Sequence, residues 1–386
     1  MRPDAYGIVT AYGSPHLARK AEQVPQGLRD IGSSKRTCPL CSKQMMKVRN
    51  HRMGEGTINF RFAIMGAGNI AGKFCDAVSR VEECEVAAVA SKSMERAVDF
   101  SRRNNVPKAY DNYEEMLQKE RPDCVYIATT PDSHYRLAKL CMKYKTPVLC
   151  EKAMFMNSAD ARDIFEESEK NRVFVMEAMW SRFLPAVQKA KNWIAEGKIG
   201  TANCLTIAVG TAFDKEKNKR NFDPKLGGGA AFDLTVYCYE LATWFFGHEI
   251  EKTSISVMWD ETGIDTSNHI CLKYKDKAAN LLASCVSILD EKLTVSGTEG
   301  RIEIPHVHYG DEVFLFDRNG KTAEHFVDQE TTNGFVYEIR EVMKCIKESA
   351  VESKIVPHGE TLRCAELFDR IYSEKKTVKA LNSYEK

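Results

Sequence analysis

The chain contains no run of about 18 uncharged apolar residues, so no transmembrane helix is expected. Its N-terminus lacks the compact apolar stretch of a secretory signal peptide. It has no excess of either charge: 55 Lys and Arg stand against 54 Asp and Glu, a net +1. That balance gives no global attraction to nucleic acid or to an anionic membrane, and neither is expected as a partner. The cysteines lack paired spacings. Thirteen, an odd number, are scattered through apolar runs, as at Cys124, Cys141, Cys150 and Cys285. This reads as reduced thiols in a cytoplasmic protein, not as a disulfide framework. No internal repeat or low-complexity tract is present. With 43% hydrophobic residues over 386 positions, disorder across the whole chain is excluded and about two domains are expected.

The near-neutral total conceals an asymmetry. Residues 1–58 hold 10 Lys and Arg but 4 Asp and Glu, a net +6, whereas the remainder carries −5. This head shows no sustained hydrophobic period and reads as a disordered basic extension. Its Cys38-Pro-Leu-Cys41 is half of a zinc site at most, with His51 as a third ligand. No second cysteine pair follows, so no metal is expected. Met53 opens a seven-residue lead-in to the first clear strand, which makes a native start near Met53 an expectation.

From residue 60 the pattern becomes alternating. A buried strand at 60–65 runs into Gly66-Ala-Gly68-Asn69-Ile70-Ala71-Gly72 and then a helix. In Gly-x-Gly-x-x-Ala, the first glycine permits a tight turn and the second lets backbone approach a pyrophosphate. The small third residue allows close helix–strand packing, and the phosphate sits on the helix N-terminus. The next strand, 85–90, ends in Ala90-Ser91-Lys92-Ser93 without the acid that binds adenosine ribose hydroxyls. Ser91 and Ser93 can donate to a 2′-phosphate and Lys92 can add charge, so NADP(H) is favoured over NAD(H). The bland reading of Lys92 is a solvated loop residue. Helices at 93–104, 113–119, 135–143 and 158–169 alternate with strands at 108–110, 124–128, 147–150 and 173–176. The 124–128 strand leads into a polar loop, Thr129-Thr130-Pro131-Asp132-Ser133-His134, at a strand C-terminus where ligands bind in open α/β sheets. The 147–150 strand ends in Glu151-Lys152-Ala153. The class is α/β, with a doubly wound parallel sheet.

The second half mixes a helix at 185–196, a strand at 201–209, a long polar loop at 210–226 read as a substrate-site cover, and a helix at 230–246. Strands follow at 250–258, 269–274, 278–287, 292–296 and 301–304. Alternation and the turn Gly297-Thr-Glu-Gly300 support antiparallel pairing. Helices at 335–346 and 361–372 end the pattern.

Between about residues 60 and 375 the sequence resembles the Gfo/Idh/MocA oxidoreductases. The resemblance rests on Gly-Ala-Gly-Asn-Ile-Ala at 66–71, Ala-Thr-Thr-Pro-Asp-Ser-His at 128–134, Glu-Lys-Ala at 151–153 and Gly-Gly-Gly-Ala-Ala-Phe-Asp at 227–233. Glu177-Ala-Met-Trp-Ser-Arg-Phe-Leu-Pro185 is most similar to the dimeric dihydrodiol dehydrogenase and NADP-dependent D-xylose dehydrogenase subgroup. The resemblance implies an N-terminal Rossmann domain (59–180) and a C-terminal α/β domain (181–386) with an open, mostly antiparallel sheet. It also implies a homodimer or homotetramer, and NAD(P)-dependent hydride transfer at a carbinol or carbonyl carbon of a sugar, polyol or cyclic diol. Its catalytic Lys maps to Lys152, and its second acid/base group, four residues after an Asp, maps to Asp233 and Tyr237. The family's Glu-Lys-Pro is Glu-Lys-Ala here, a departure at Ala153.

Hydride transfer needs a paired proton transfer on oxygen, and a nearby ammonium favours the phenolate of a tyrosine. Lys152 fills that role for Tyr237. It also has the reach to bond the nicotinamide ribose and the substrate oxygen. Asp233 orients Lys152 or binds a substrate hydroxyl. Trp180 lines the substrate pocket or simply packs. Arg182 binds substrate or cofactor, His134 shapes the cofactor loop, and Tyr237 is otherwise a packed core aromatic. An NAD-dependent sugar or inositol dehydrogenase, and a non-catalytic nicotinamide-binding sensor, are the alternatives. The intact Lys152 and Tyr237 argue against the sensor.

Overall fold

The computed structural model describes residues 59–384, with side-chain surroundings through residue 374. The basic head, the Cys38–Cys41 half-site with His51, and the Met53 start lie outside the described residues. Strand and helix alternate from the outset: β1 (Phe60–Met65), α1 (Asn69–Val78), β2 (Cys84–Ala90), α2 (Met94–Asn104), β3 (Ala109–Tyr110), α3 (Tyr113–Glu120), β4 (Cys124–Ile127), α4 (Pro131–Lys143), β5 (Val148–Glu151), α5 (Ser158–Asn171) and β6 (Val175–Ala178). The strands form a parallel sheet in the order β3-β2-β1-β4-β5-β6. Every residue of β4 and β5 is buried. A sheet covered by helices on both faces requires such continuous burial in its central strands. Residues 131–134, expected in a loop, are instead the first turn of α4. Pro131 sits where its missing N–H costs nothing, because the first helical N–H groups have no intrahelical acceptor.

The second sheet is built from β7 (Ala202–Gly210), β8 (Lys252–Trp259), β9 (Asp265–Lys273), β10 (Ala278–Ser284), β11 (Lys292–Gly297), β12 (Gly300–Pro305), β13 (Glu312–Asp317) and β14 (Thr322–Val327). Its order is β14-β13-β12-β11-β7-β10-β9-β8. All pairs are antiparallel except β7 with β10. The sequence pattern did not reveal β13 and β14. They are short strands at one end of the sheet, and β14 has no buried residue to mark a period. One sheet face, carrying Leu205, Ile207, Leu281, Leu293 and Val295, is buried. It packs against α6 (Pro185–Ala195) and α7 (Val236–Phe246). On the other face Thr206, Ser254, Ser256, His269 and Asn280 are exposed.

The last two helices return to the first sheet. α8 (Phe335–Lys347) packs on α1, and α9 (His358–Tyr384) packs on α5. Asn333 Nδ2 donates to Asp76 Oδ2 at 2.8 Å, and Arg162 Nη2 to Glu366 Oε1 at 2.9 Å. Both sheets belong to one structural unit, Asn59–Lys386. No described helix is long and apolar enough to cross a membrane.

Candidate functional site

The C-terminal edge of the parallel sheet collects the motif residues. Gly66 follows β1 with φ +110°, and a Cβ there would stand 2.7 Å from the Ala128 carbonyl oxygen. Only glycine tolerates that conformation and contact. Gly68 is the N-cap of α1, with open space where a Cβ would be. Asn69 and Ile70 form the first turn of that helix, and Ala71 is fully buried beneath it. The cradle therefore has backbone N–H groups at a helix N-terminus and room above them, which is what a pyrophosphate needs.

Beside it, Thr130 caps α4, Pro131 follows, and Ser133 Oγ donates to Thr129 Oγ1 at 2.8 Å. His134 is fully buried. Its ring nitrogens lie 3.1 Å from the Ala153 and Thr129 carbonyl oxygens, which ties the α4 turn to the segment after β5. Burial pushes its pKa down, so the ring is neutral. At the end of β2, Ser91 is buried, Lys92 is exposed, and Ser93 Oγ caps α2 by accepting from Arg96 N. Lys92 and Arg96 thus flank the first turn of α2.

Lys152 follows β5 directly, and its peptide to Ala153 is cis. Its ammonium donates to Asp233 Oδ1 at 2.7 Å and to the Asp233 carbonyl at 2.8 Å. It lies 4.8 Å from the centroid of the Tyr237 ring. Trp180 Nε1 donates to the Tyr237 hydroxyl at 3.1 Å. Lys152 is 8% exposed, Asp233 5% and Tyr237 2%. The structure thus brings together Lys152, Asp233, Tyr237 and Trp180 from three separate segments. Asp233 lies in a π-helical turn, Ala231–Thr235, that runs into α7 and carries Tyr237 in its first turn.

Burial opposes both charges of the ion pair, but their mutual attraction wins. Asp233 is held below the usual carboxylate range, where Lys152 and then Arg220 oppose the burial cost. Lys152 is held above its ordinary value by Asp233 and Tyr237 despite burial. Asn221 Nδ2 donates to Asp233 Oδ2 at 2.7 Å, and Arg220 Nη2 lies 3.8 Å from Oδ1. Both come from the 210–226 loop. Glu151 is buried, accepts from the Tyr126 hydroxyl, and is shifted up by burial.

Arg182 is not brought to this site. It is 1% exposed and its guanidinium is spent elsewhere. It donates to the Glu240 carbonyl from Nε and Nη2, to the Ile355 carbonyl at 3.0 Å and to Glu360 Oε2 at 3.0 Å. The expectation of substrate or cofactor contact by Arg182 is corrected: a guanidinium saturated by buried acceptors has nothing left for a ligand.

Sequence reasoning missed several supporting residues. Asp265 accepts from Ala231 N at 2.6 Å and from Tyr372 at 2.8 Å, which fixes the turn that delivers Asp233. Gly229, with φ +111°, leaves room for that carboxylate, since a Cβ would stand 2.2 Å from Asp265 Oδ1. Glu177 accepts from Met154 N and Thr361, bracing the chain just after Lys152. His308 lies on the β12–β13 connection with its ring 4.9 Å from that of Tyr237. None of these has a spacing signal; they converge only through the fold.

Two family models match the chain in order: "Oxidoreductase family, NAD-binding Rossmann fold" over residues 60–179 and "GFO/IDH/MocA C-terminal domain" over residues 187–303. A trans-1,2-dihydrobenzene-1,2-diol dehydrogenase of Mus musculus is 32% identical over 320 residues, covering 80% of this chain and 95% of that protein. The Xenopus laevis protein of the same name is 30% identical, covering 80% and 96%. Among solved structures, an aldose-aldose oxidoreductase from Caulobacter crescentus in complex with glycerol aligns with TM-score 0.74 at 20% identity, covering 82% of this chain and 97% of that one. A 3-ketoreductase from Actinomadura kijaniata in complex with NADP and TDP-benzene aligns with TM-score 0.72 at 20% identity, covering 81% and 96%. These two show the fold. With both halves matched in sequence and a relative spanning nearly its own full length, the chain belongs to the Gfo/Idh/MocA family of oxidoreductases.

Proposed function

We propose that this protein is an NADP(H)-dependent oxidoreductase acting on a sugar, a sugar-derived polyol or a cyclic diol, with Lys152 and Tyr237 as its proton-transfer pair. One observation carries the reading: a buried ammonium, fixed by Asp233, lies 4.8 Å from the ring of a buried tyrosine at the C-terminal edge of the parallel sheet. The curated relatives are named as diol dehydrogenases, and the structural neighbours include an aldose-aldose oxidoreductase and a 3-ketoreductase.

The residues present fit a nicotinamide dinucleotide. Gly66, Gly68, Asn69 and Ile70 form the pyrophosphate cradle, while Thr129, Thr130, Pro131 and Glu151 border the same edge. Lys92, with Ser91 and Ser93, meets the adenosine end, and Arg96 adds a second cation there. Lys92 with no acid between the end of β2 and α2, and Arg96 beside Glu95 in the first turn of that helix, support preference for a 2′-phosphate, hence NADP(H) over NAD(H). When bound, the dinucleotide supplies or accepts the hydride.

The protein handles the proton. In the oxidising direction Tyr237 Oη takes the proton of the substrate hydroxyl; in the reducing direction it returns one to the carbonyl oxygen. The Lys152 ammonium favours the charged form of that phenol and stabilises negative charge developing on the substrate oxygen. Trp180 fixes the phenol by donating to it. Asp233 holds Lys152 in place. The exclusion of water from this centre strengthens each of these interactions.

The open face of the second sheet forms a trough of about 500 Å³ between β7, β8, β9, β10 and β11. Half-exposed Leu282 and Cys271 on it support a homo-oligomer in which a second copy covers that face. The described cysteines are all free thiols, most of them buried, which supports a reducing, cytoplasmic location. The proposal is tested by comparing turnover of aldoses, ketoses and cyclic diols with NADP⁺ in the unaltered protein and in Lys152→Ala and Tyr237→Phe. Unchanged turnover in both variants overturns the assignment.

A further inference from the structure

The 210–226 loop carries five cations, and one of them turns toward the buried centre. Lys215, Lys217 and Lys219 pair with Asp260, Asp214 and Glu216. Arg220 instead reaches Asp233, with Nη2 3.8 Å from Oδ1. Its backbone is fixed there. Arg220 lies in a short 3-10 turn, Lys219–Phe222. Asp223 N donates to the Arg220 carbonyl at 3.1 Å, and Gly228 N and Gly229 N donate to the Asp223 and Asn221 carbonyls, each at 2.9 Å. These bonds fasten the turn to the triple glycine that leads into Asp233.

Asp233 has its own partners. Lys152 donates to Oδ1 and Asn221 to Oδ2, each at 2.7 Å, whereas 3.8 Å is too long for a hydrogen bond. The Arg220 guanidinium makes no hydrogen bond among the described residues. Its side chain is 40% exposed and that of Asp233 6%. A planar fork of N–H donors thus stands at the solvent edge of the buried centre.

Two cations meet one carboxylate here. Lys152 and Arg220 both lower the Asp233 pKa, and one positive charge stays unmatched beside it. A second anion relieves the repulsion between two cations drawn to the same oxygen. A guanidinium takes a carboxylate through two parallel N–H···O bonds. One unmatched charge balances a monoanionic carboxylate, whereas a phosphate dianion leaves excess negative charge next to Asp233. Because Lys152 and Arg220 converge on Oδ1, an anion held by Arg220 lies close to the oxygen that Lys152 serves in the proposed reaction.

We propose that Arg220 is a substrate-binding residue that pairs with a carboxylate of the substrate, so that the site takes sugar acids ahead of the corresponding neutral sugars. This rests on the reading of Lys152 and Tyr237 given above and names the substrate class of that site. The carboxylate itself does not react.

The test uses the full-length protein loaded with NADPH and measures its affinity for D-glucuronate and D-glucose by calorimetric titration. The two sugars differ only in a carboxylate in place of a hydroxymethyl group. The readout is the ratio of the two affinities, which needs no turnover. The unaltered protein is expected to hold glucuronate more tightly by about tenfold or more. Arg220→Gln, which keeps a polar side chain without the charge, brings the ratio close to one. Arg220→Lys, which keeps the charge without the fork, restores part of it. A ratio that stays the same in Arg220→Gln, whether both affinities fall or neither does, overturns the inference: Arg220 then only braces Asp233 or meets the cofactor. An unaltered protein that does not prefer glucuronate overturns it too. D-glucose 6-phosphate is the third probe, and tighter binding than glucuronate overturns the choice of a carboxylate. Tyr237→Phe separates the two levels. If it leaves turnover intact, the reading of the site fails. If it abolishes turnover while Arg220→Gln keeps the ratio, only the role of Arg220 fails.

Discussion

Two buried charge clusters lie within this chain, and they do different work. In one, Lys152 meets a single carboxylate, Asp233, with the Tyr237 phenol alongside. In the other, Arg182 meets Glu240 and Glu360 and adds backbone and hydroxyl acceptors around the whole guanidinium. Both cations are nearly inaccessible, so burial alone does not mark a reactive site. The surroundings separate the two, and the proposed chemistry rests on them. The Lys152 centre sits where strand ends, the proposed cofactor cradle and the 220–221 loop converge, whereas the Arg182 cluster pins α7 to α9 and to the turn after β6.

The clusters also answer pH differently. The folded state holds Asp233 below its ordinary value. Its contribution to stability is therefore present above the unfolded value and is lost only as pH falls through the lower, folded one. Lys152 is raised, so its contribution holds below the unfolded value and fades only as pH climbs through the higher folded one. The ion pair is thus constant across the neutral range. Glu240 behaves otherwise. Burial pushes it up to about 8, although Arg182 Nη2 lies 2.8 Å from Oε2, close but without hydrogen-bond alignment. The folded state then binds the extra proton between pH 4.5 and 8, and stability declines as pH rises through that window.

Breaking the two clusters separately sharpens the contrast. The largest effect is expected for Lys152→Ala, which removes the cation beside the phenol and lowers turnover by about 10⁴-fold in steady-state assays. Tyr237→Phe follows with a loss of about 10²–10³-fold, while the protein stays folded by circular dichroism. Arg182→Ala acts through stability. Removing the guanidinium beside Glu240 and one of the partners of Glu360, which keeps Thr243 and His248, costs about 3–5 kcal/mol, read as a lower urea midpoint. Glu240→Gln is milder: it flattens the decline of stability between pH 4.5 and 8, measured by urea unfolding across that range. The smallest effect is at the cofactor's far end. Lys92→Glu weakens NADPH binding by about tenfold and leaves NADH binding nearly unchanged, as followed by fluorescence titration.

The sequence exposed the parallel half well because its strands are continuous apolar runs separated by helices of one period. Phe60–Met65 with Gly66 and Gly68 could be placed before any coordinates. Lys152, Asp233 and Tyr237 were singled out through motif spacing and family resemblance, and the fold brings Lys152 to Asp233 across a sequence separation of 81. Arg182 misled because a charged residue beside a tryptophan looks the same in sequence whether it faces a ligand or a buried glutamate. His308, Asp265 and Asn221 were invisible because turns and strand ends carry no hydrophobic period, and their partners are far away in sequence. Pro131 was read as part of a loop because proline fits both a turn and a helix start.

The central claim is that Lys152 and Tyr237 move the proton while the Arg182 cluster only holds the fold. Its most direct measurement is the single-turnover rate of NADPH formation from trans-1,2-cyclohexanediol in Tyr237→Phe, with NADPH affinity measured on the same sample. The account predicts a rate at least about a hundredfold slower with affinity within a few-fold of the unaltered protein. An unchanged rate with normal affinity would contradict it.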